Sequence, residues 1–368
     1  MQTEFSNDQH QFRQVVARFL LDKSPTSAVR QLMASSKGYD PLVWQQLCGE
    51  VGLAGTHIPE AYGGYGFGAV ELGIVAEEMG RYLYCGPFFA SSVMAAYALL
   101  GAADETHKER LLPDIASGAC IATLVLDNLN LPEQVGLCLV AEPAGTEYLL
   151  TGTAPMVVDA HIAQLLLVIA ATPTGLGLFG LSNPAAGVVV TPLEVLDPTR
   201  KLSRVTFTAA PATWLGAVSP QALRTLWDQL CVVLAQEMMG GAQALLASTV
   251  EYTKLRVQFG RPIGSFQALK HRCADLLMEV EFAKAASHYA AFCLAAGAGD
   301  AYAPSMAKAM ASDTYMNVAR AAVQLRGGIG FTWEDDTHLW FKRAKSSEVF
   351  LGTPHQHRER MITMMEGV

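Results

Sequence analysis

The stretch Arg256-Val-Gln-Phe-Gly-Arg-Pro-Ile-Gly-Ser-Phe-Gln267 decides how this chain is read. It places a cation, an aromatic ring and a Gly-Arg-Pro-Ile-Gly turn between two long helical patterns. Upstream, Pro220 to Leu255 reads as one helix, with Leu230, Val233, Leu234, Leu245 and Leu246 at mostly helical spacings. Within that helix one acid, Glu237, is nearly alone in an apolar run and is followed by Gly240 and Gly241. Downstream, a second helix reads from Phe266 to Ala295. A buried acid beside small residues, joined to a fixed cation-bearing turn, is an arrangement suited to a bound anionic cofactor.

The remainder of the chain has to fit around that stretch. At 368 residues it exceeds what one core accommodates, so more than one packed unit is expected. With 51% apolar and 16% charged residues, it carries more apolar surface than a monomer readily hides, which points to a large subunit interface. A net charge of −8 without a Lys/Arg cluster gives no footprint for nucleic acid. No uninterrupted apolar run reaches bilayer length, and the polar, acidic opening Met1 to Asp8 is wrong for a signal peptide. The cysteines at 48, 85, 120, 138, 231, 273 and 293 are scattered, with no CxxC, and most read as reduced core residues. Together these features predict a soluble, cytoplasmic protein.

Three compositional regimes follow one another. Residues 1–117 read as a helical domain. Asn7 or Asp8 is the expected cap of a first helix carrying Phe12, Val15, Val16, Phe19 and Leu20; further helices are expected over Pro41–Val51, Ala69–Arg81, Pro87–Leu100 and Glu105–Ile115. The Gly/aromatic run Ala61 to Gly68 reads as a turn whose glycines supply positive φ.

Residues 118–216 carry seven short β-type runs between Gly, Pro and Asn: Cys120–Leu126, Leu137–Ala141, Tyr148–Thr151, Ala163–Ala170, Gly177–Leu181, Val188–Val190 and Val205–Phe207. That density predicts a compact antiparallel sandwich or barrel. No G-x-G-x-x-G follows a strand, which disfavours a nicotinamide-binding domain. Residues 217–368 are helical again, through Ala303–Leu325 and a final segment after Lys342.

Arg256-x-x-Phe-Gly-Arg-Pro-Ile-x-x-Phe-Gln267 resembles the acyl-CoA dehydrogenase family. Gln324-Leu-Arg-Gly-Gly-Ile-Gly-Phe331, the Gly352-Thr353 pair and the helix–strand–helix plan extend the resemblance over essentially the whole chain. Gly330-Phe-Thr-Trp333 and His357-Arg-Glu-Arg360 are similar to bacterial members that act on bulky CoA thioesters. The resemblance implies an α+β fold: an N-terminal helical domain, a middle antiparallel β domain and a C-terminal four-helix-bundle domain. It also implies FAD as cofactor. Arg256, Phe259 and Gln267 then contact the FAD of a neighbouring subunit, with Arg256 on its pyrophosphate. Gln324, Gly327 and Gly328 lie at its adenosine portion, and Thr353 is a further contact. A guanidinium fork suits phosphate, and glycine permits close backbone approach. Without the matching positions, Arg256 would read as a helix C-terminal cap.

The base is where the chain departs from the best-known family pattern. Many members carry Glu immediately before the Gly-Thr pair; here that position is Leu351, which cannot accept a proton. Other members use a Glu on the first long C-terminal helix, and Glu237 lies there, in Ala235-Gln-Glu-Met-Met-Gly-Gly241. Proton abstraction asks for a carboxylate within reach of an α-carbon in a water-poor pocket. The alternative reading of Glu237 is a structural acid paired with a buried Arg or Lys.

The β region departs as well. The family's Thr-Glu-Pro-Gly-Ala-Gly-Ser-like loop and Trp-Ile-Thr segment are replaced by Leu124-Val-Leu-Asp-Asn-Leu-Asn130 and Met156-Val-Val-Asp-Ala-His161. Asp159 and His161 read as turn residues at a strand end. The acids Glu334, Asp335 and Asp336 read as a solvated turn before His338, not as a metal cluster. His355, His357, Arg358 and Arg360 either favour a cofactor phosphate or solvate the C-terminal segment. Arg326 stands where many such relatives carry His.

The activity implied by the resemblance is α,β-dehydrogenation of a fatty or steroid acyl-CoA thioester. The base takes the α-proton as the β-hydride passes to the flavin, and an electron-transfer flavoprotein is the implied acceptor. The implied assembly is a homotetramer or a heterotetramer with a related subunit. Two further readings stay open: a cofactor-sharing, non-catalytic partner subunit, and an acyl-CoA oxidase.

Overall fold

The computed structural model describes residues 5–136, 138–145, 147–297 and 299–366. Helices α1 (Asn7–Lys23), α2 (Thr26–Ala34), α3 (Pro41–Gly49), α4 (Ala69–Arg81), α5 (Ala96–Ala102) and α6 (Glu105–Ala116) come first. Strands β1 (Ala122–Val125), β2 (Leu139–Ala144), β3 (Glu147–Val158), β4 (Leu165–Thr172), β5 (Gly175–Ser182), β6 (Val188–Pro192) and β7 (Leu202–Val218) follow. Then come α7 (Pro220–Leu255), the ribbon strands β8 (Val257–Gln258) and β9 (Arg261–Pro262), α8 (Gln267–Ala296), α9 (Ala303–Arg326), α10 (Thr337–Val349) and α11 (Pro354–Glu366). The order is helical, β, helical, as expected. Leu137, where the second expected strand begins, lies outside the described residues.

The chain divides into two compact units. One comprises Met1–Arg30, Ala69–Tyr84 and Cys231–Val368; the other comprises Gln31–Gly68 and Cys85–Leu230.

The second unit contains strands β1 to β7. Its strands close a ring, β4-β2-β3-β7-β5 and back to β4, with β1 added on β4 and β6 on β7. Most pairs are antiparallel, but β1 runs parallel to β4, and β2 meets β4 through one parallel pair, Val140 with Ala171. Alternation on β3 and β7 turns Leu150, Ala154, Val205 and Phe207 inward, where they are buried. On β4 the run Leu166 to Ala170 is buried on both faces. Tyr148, Phe179 and Trp214 pack as one aromatic cluster, with Phe179 and Trp214 edge to face at 5.3 Å.

Asp40 and Asp104 cap α3 and α6 through their side chains. The segment expected as a plain helix over Pro87–Leu100 is a π-helical turn, Phe88–Ala95, continuing into α5.

The first unit brings α1, α4 and the C-terminal helices together. The cap of α1 is Ser6, one residue before the expected Asn7 or Asp8. Its hydroxyl accepts from Gln9 N at 3.2 Å, while Gln9 Oε1 accepts from Ser6 N at 2.9 Å, a reciprocal capping box. α7 has the length and composition to cross a bilayer, yet most of its apolar stretch is buried inside the protein. The α4–α7 contact is set by glycines. A Cβ on Gly80 would lie 1.8 Å from Glu237 O, and one on Gly240 would lie 1.7 Å from Glu77 O. The two backbones can approach this closely only without those side chains.

A polar knot joins α1, α4 and α8. Arg13 holds the buried Glu77 carboxylate with both terminal nitrogens, at 2.8 and 2.9 Å, and His288 Nε2 reaches it at 3.0 Å. Burial alone would raise the Glu77 pKa, but the hydrogen bonds from His288 and Arg13 outweigh it and hold the carboxyl well below its usual range.

Candidate functional site

Glu237 lies on the buried face of α7. Its carboxylate Oε1 accepts from Arg343 Nη1 at 2.8 Å, and the two residues are 6% and 4% exposed. Arg343 comes from α10, where Leu339, Arg343 and Ser347 recur every four residues and are buried together. That spacing was the signal for Arg343. It is lost when the last helical segment is started at Lys342 instead of Thr337. Gly240 and Gly241, the small residues beside the acid, are taken up by packing: Gly240 meets the α4 backbone, and a Cβ on Gly241 would lie 2.4 Å from the Tyr315 hydroxyl.

The turn between α10 and α11 is held from beneath. Leu351 is fully buried with φ +60°, an uncommon backbone conformation for a residue with a branched side chain. Lys308, itself buried, donates to Gly352 O at 3.0 Å, Glu348 O at 3.3 Å and Ser312 Oγ at 3.0 Å. His357 Nε2 donates to Leu351 O at 2.9 Å, and its Nδ1 lies 3.2 Å from Ser305 Oγ. His357 is therefore a core residue, neither a phosphate contact nor a solvating one, and burial pushes its pKa down to about 3. Its neighbours divide: Arg358 pairs with Asp313, His355 is exposed, and Arg360 Nη1 donates to Ser305 Oγ at 3.1 Å. Thr353 caps α11. Its hydroxyl accepts from Gln356 N at 3.3 Å, while Gln356 Oε1 accepts from Thr353 N at 2.9 Å.

The hairpin that opened the sequence reading is a two-residue ribbon in which Gln258 pairs with Arg261. Phe259 and Gly260 both have positive φ, +54° and +75°, as the tightest hairpin turn requires. Phe259 is 91% exposed. Arg261 stacks on Phe266, with its guanidinium carbon 4.1 Å from the ring centroid. Arg256, Gln267 and Gln324 are exposed, and no side-chain partner engages them among the described residues.

Gly327 has φ +65°, and among the described residues no heavy atom beyond the adjoining residues lies within 4 Å of a Cβ built on it or on Gly328. Packing within the chain therefore does not explain Gly328. Open glycines, a free guanidinium and an exposed aromatic ring fit the pyrophosphate and adenosine half of a dinucleotide.

Arg326 ties the two halves of this surface together. Its Nη1 donates to Thr249 Oγ1 at 2.6 Å and its Nη2 to Ser248 Oγ at 3.0 Å, while its Nε lies 3.4 Å from Asp335. The Tyr252 ring lies 5.4 Å from its guanidinium, and the Tyr252 hydroxyl donates to Arg326 O at 3.3 Å. Burial lowers the Arg326 pKa, and Asp335 opposes that shift. The neighbouring acids are occupied too: Asp336 accepts from Arg30 Nε at 2.7 Å, and Asp335 caps Thr337 N at 2.8 Å.

In the β unit the polar turn residues make mostly structural contacts. Asp127 accepts from Gly136 N at 2.8 Å and Cys138 N at 2.5 Å, which closes its own loop. Asp159, at φ +53°, donates its N–H to Lys201 O at 3.0 Å and accepts at its own carbonyl from Ile162 and Ala163. His161 Nε2 lies 3.0 Å from Lys37 O. Both Asp159 and His161 sit in a turn at the end of β3.

Comparison with known proteins gives this geometry a family. A family model for the acyl-CoA dehydrogenase N-terminal domain matches residues 6–119, and one for the C-terminal domain matches residues 228–365. Acyl-CoA dehydrogenase IpdE2 of Mycobacterium tuberculosis (strain ATCC 25618 / H37Rv) is 35% identical over 357 residues, 96% of each chain. Among solved structures, a chain of the ChsE4-ChsE5 complex from Mycobacterium tuberculosis superposes with a TM-score of 0.91 at 26% identity, covering 100% of both chains. The Tcur3481-Tcur3483 steroid ACAD variant superposes with a TM-score of 0.89 at 29% identity over 98% of both chains. The chain belongs to the acyl-CoA dehydrogenase family of FAD-dependent oxidoreductases.

Proposed function

We propose that the protein catalyses FAD-dependent α,β-dehydrogenation of a bulky acyl-CoA thioester, with Glu237 as the base. The observation that carries this reading is the pair of candidate base positions. Leu351 is apolar and buried, whereas Glu237 is a buried carboxylate with a guanidinium to balance its charge. The Arg343 pair is equally what a structural acid shows, so the support lies in the carboxylate's position: proton abstraction asks for a carboxylate in a water-poor setting, and Leu351 offers none. Bound FAD would supply the hydride acceptor. Arg256, Phe259, Gln267, Gln324, Gly327 and Gly328 would hold its pyrophosphate and adenosine half, and Thr353 would stiffen the turn that adjoins it. The name of the steroid ACAD relative supports a bulky, polycyclic acyl group. An electron-transfer flavoprotein as acceptor and a cytoplasmic tetramer complete the proposal.

The test is Glu237→Gln. Turnover with acyl-CoA thioesters should be abolished while bound flavin is unchanged; retained turnover would remove Glu237 as the base.

A second reading is supported by the clamp itself. Among the described residues the Arg256 guanidinium is unengaged, Phe259 is exposed with only an edge-on contact to Phe266, and Asp127 is committed to its own loop. Such a subunit would lend its clamp to a flavin held by a related chain, as the two-component ChsE4-ChsE5 complex also suggests. Flavin content separates the readings. Near-stoichiometric FAD in protein expressed alone, bleached by an acyl-CoA, supports an autonomous enzyme. Colourless protein that gains flavin on co-expression supports the partner role.

A further inference from the structure

We propose that Arg326 is a positioning residue that fixes the spacing between the two halves of the cofactor clamp, the Arg256–Gln267 hairpin and the Gly327–Phe331 turn. The inference rests on reading those segments as cofactor contacts, and it adds a residue that touches neither cofactor nor substrate.

Arg326 is the last residue of α9 and directly precedes Gly327. Its guanidinium engages Ser248 and Thr249 on α7, Asp335 after the turn, and the face of Tyr252. Tyr252 is one helical turn before Arg256, and Arg256 N donates to Tyr252 O at 2.9 Å. The Tyr252 hydroxyl returns to Arg326 O. The root of the hairpin and the root of the glycine turn are therefore fastened at one point.

Beyond that point the hairpin is held by its own backbone pairing, but among the described residues the side chains of Arg256, Gln267 and Gln324 are unpartnered, and Gly328 faces open space. A planar fork with its donors in fixed directions can hold two hydroxyls and an acid at once. Imidazole, with two ring nitrogens, cannot. A ligand that bridges both halves binds more tightly when their separation is already set.

A purely structural arginine would weaken the fold without singling out Arg256, so the test is a double-mutant cycle read in nucleotide binding. ADP and FAD are titrated calorimetrically into the full-length protein, and thermal melting is recorded without ligand. Arg326→Gln is expected to weaken ADP binding at least tenfold in the parent chain, but less than threefold when Arg256→Ala is already present. Arg326→Lys, which keeps the charge and loses the fork, should behave like Arg326→Gln; this covers a glutamine variant that melts early. Equal losses in both backgrounds, or no loss, would overturn the positioning role and leave the cofactor reading standing. A parent chain that binds neither ADP nor FAD, and gains no flavin on co-expression with a related chain, would overturn both.

Discussion

Arg343 Nη1 donates to Glu237 Oε1 at 2.8 Å, and water reaches neither side chain appreciably. Removing one member of such a pair leaves an uncompensated buried charge. Arg343→Gln is therefore expected to cost about 3–5 kcal/mol of folding stability. The double variant Arg343→Gln, Glu237→Gln should recover a substantial part of that loss. Chemical denaturation of the four proteins measures the coupling, and a single-variant cost under about 1 kcal/mol would contradict it.

Glycines in this protein divide into those the fold needs and those it does not. Gly80→Ala or Gly240→Ala must push a carbonyl aside and should cost about 1–3 kcal/mol or more. Gly328→Ala meets nothing within 4 Å and should leave the melting temperature of the free chain unchanged. It should weaken FAD binding all the same. Melting curves with and without FAD distinguish the two classes; equal behaviour would refute the division.

Phe259 holds a positive φ and buries almost nothing in return. Phe259→Asn suits that conformation better and should stabilise the free chain by about 1 kcal/mol. The same change should reduce FAD affinity. A variant that is less stable and binds FAD normally would show that the ring serves the fold instead.

Two deeply buried histidines contribute most directly to the acid response. His57 has both ring nitrogens buried without a hydrogen-bond partner among the described residues, and burial pushes its pKa down to about 3. His357 is likewise pushed down to about 3, by burial and then by the Lys308 charge. Unfolded, each titrates at the ordinary value of 6.5. Below that value the unfolded chain binds more protons than the folded one. Stability present above pH 6.5 is thus lost as pH falls, by about 1.4 kcal/mol per unit per histidine once well below it. Glu77 has the same sign but acts only below its ordinary value of 4.5. Urea denaturation from pH 7 to pH 5 should show the decline, and His57→Leu should remove a measurable part of it, with His161 and His338, also lowered by burial, adding to the remainder. A flat profile would refute the assignment.

Much of the fold was legible because local signals agreed with it. α7 has its expected ends, since Pro220 can open a helix and the Arg256 turn closes it. The seven strands fall where Gly, Pro and Asn punctuate apolar runs. The parallel β1–β4 pair was not legible, because it joins strands separated by the whole β2–β3 hairpin. The Phe88–Ala95 π-turn escaped as well, since one widened turn hardly changes an all-apolar pattern.

At the site, Glu237 stood out because an acid in an apolar helix needs a reason. Its partner did not, since Arg343 looks like a surface cation until α10 is started at Thr337. Gly240 was visible as small but not as the seat of α4, because the contact joins residues far apart in sequence. Arg326 was noticed only as a departure from relatives. Its role depends on Ser248, Thr249 and Tyr252, which carry no signal of their own.

The unit holding Glu237 is assembled from three separate pieces of chain, and this governs how it can be made. Glu77 and His288, which close its polar knot, are 211 residues apart. At ribosomal rates of about 5–20 residues per second, α4 waits roughly 10–40 s for α8 to be synthesised. During that interval the apolar faces of α1 and α4 have no native neighbour among the C-terminal helices, whereas every residue of the β unit is made before translation passes Leu230. Nascent-chain proteolysis should accordingly find the β unit protected first. Chaperone dependence should concentrate on the α1 and α4 segments, and overproduction should tax holding capacity more than the stability of the finished enzyme.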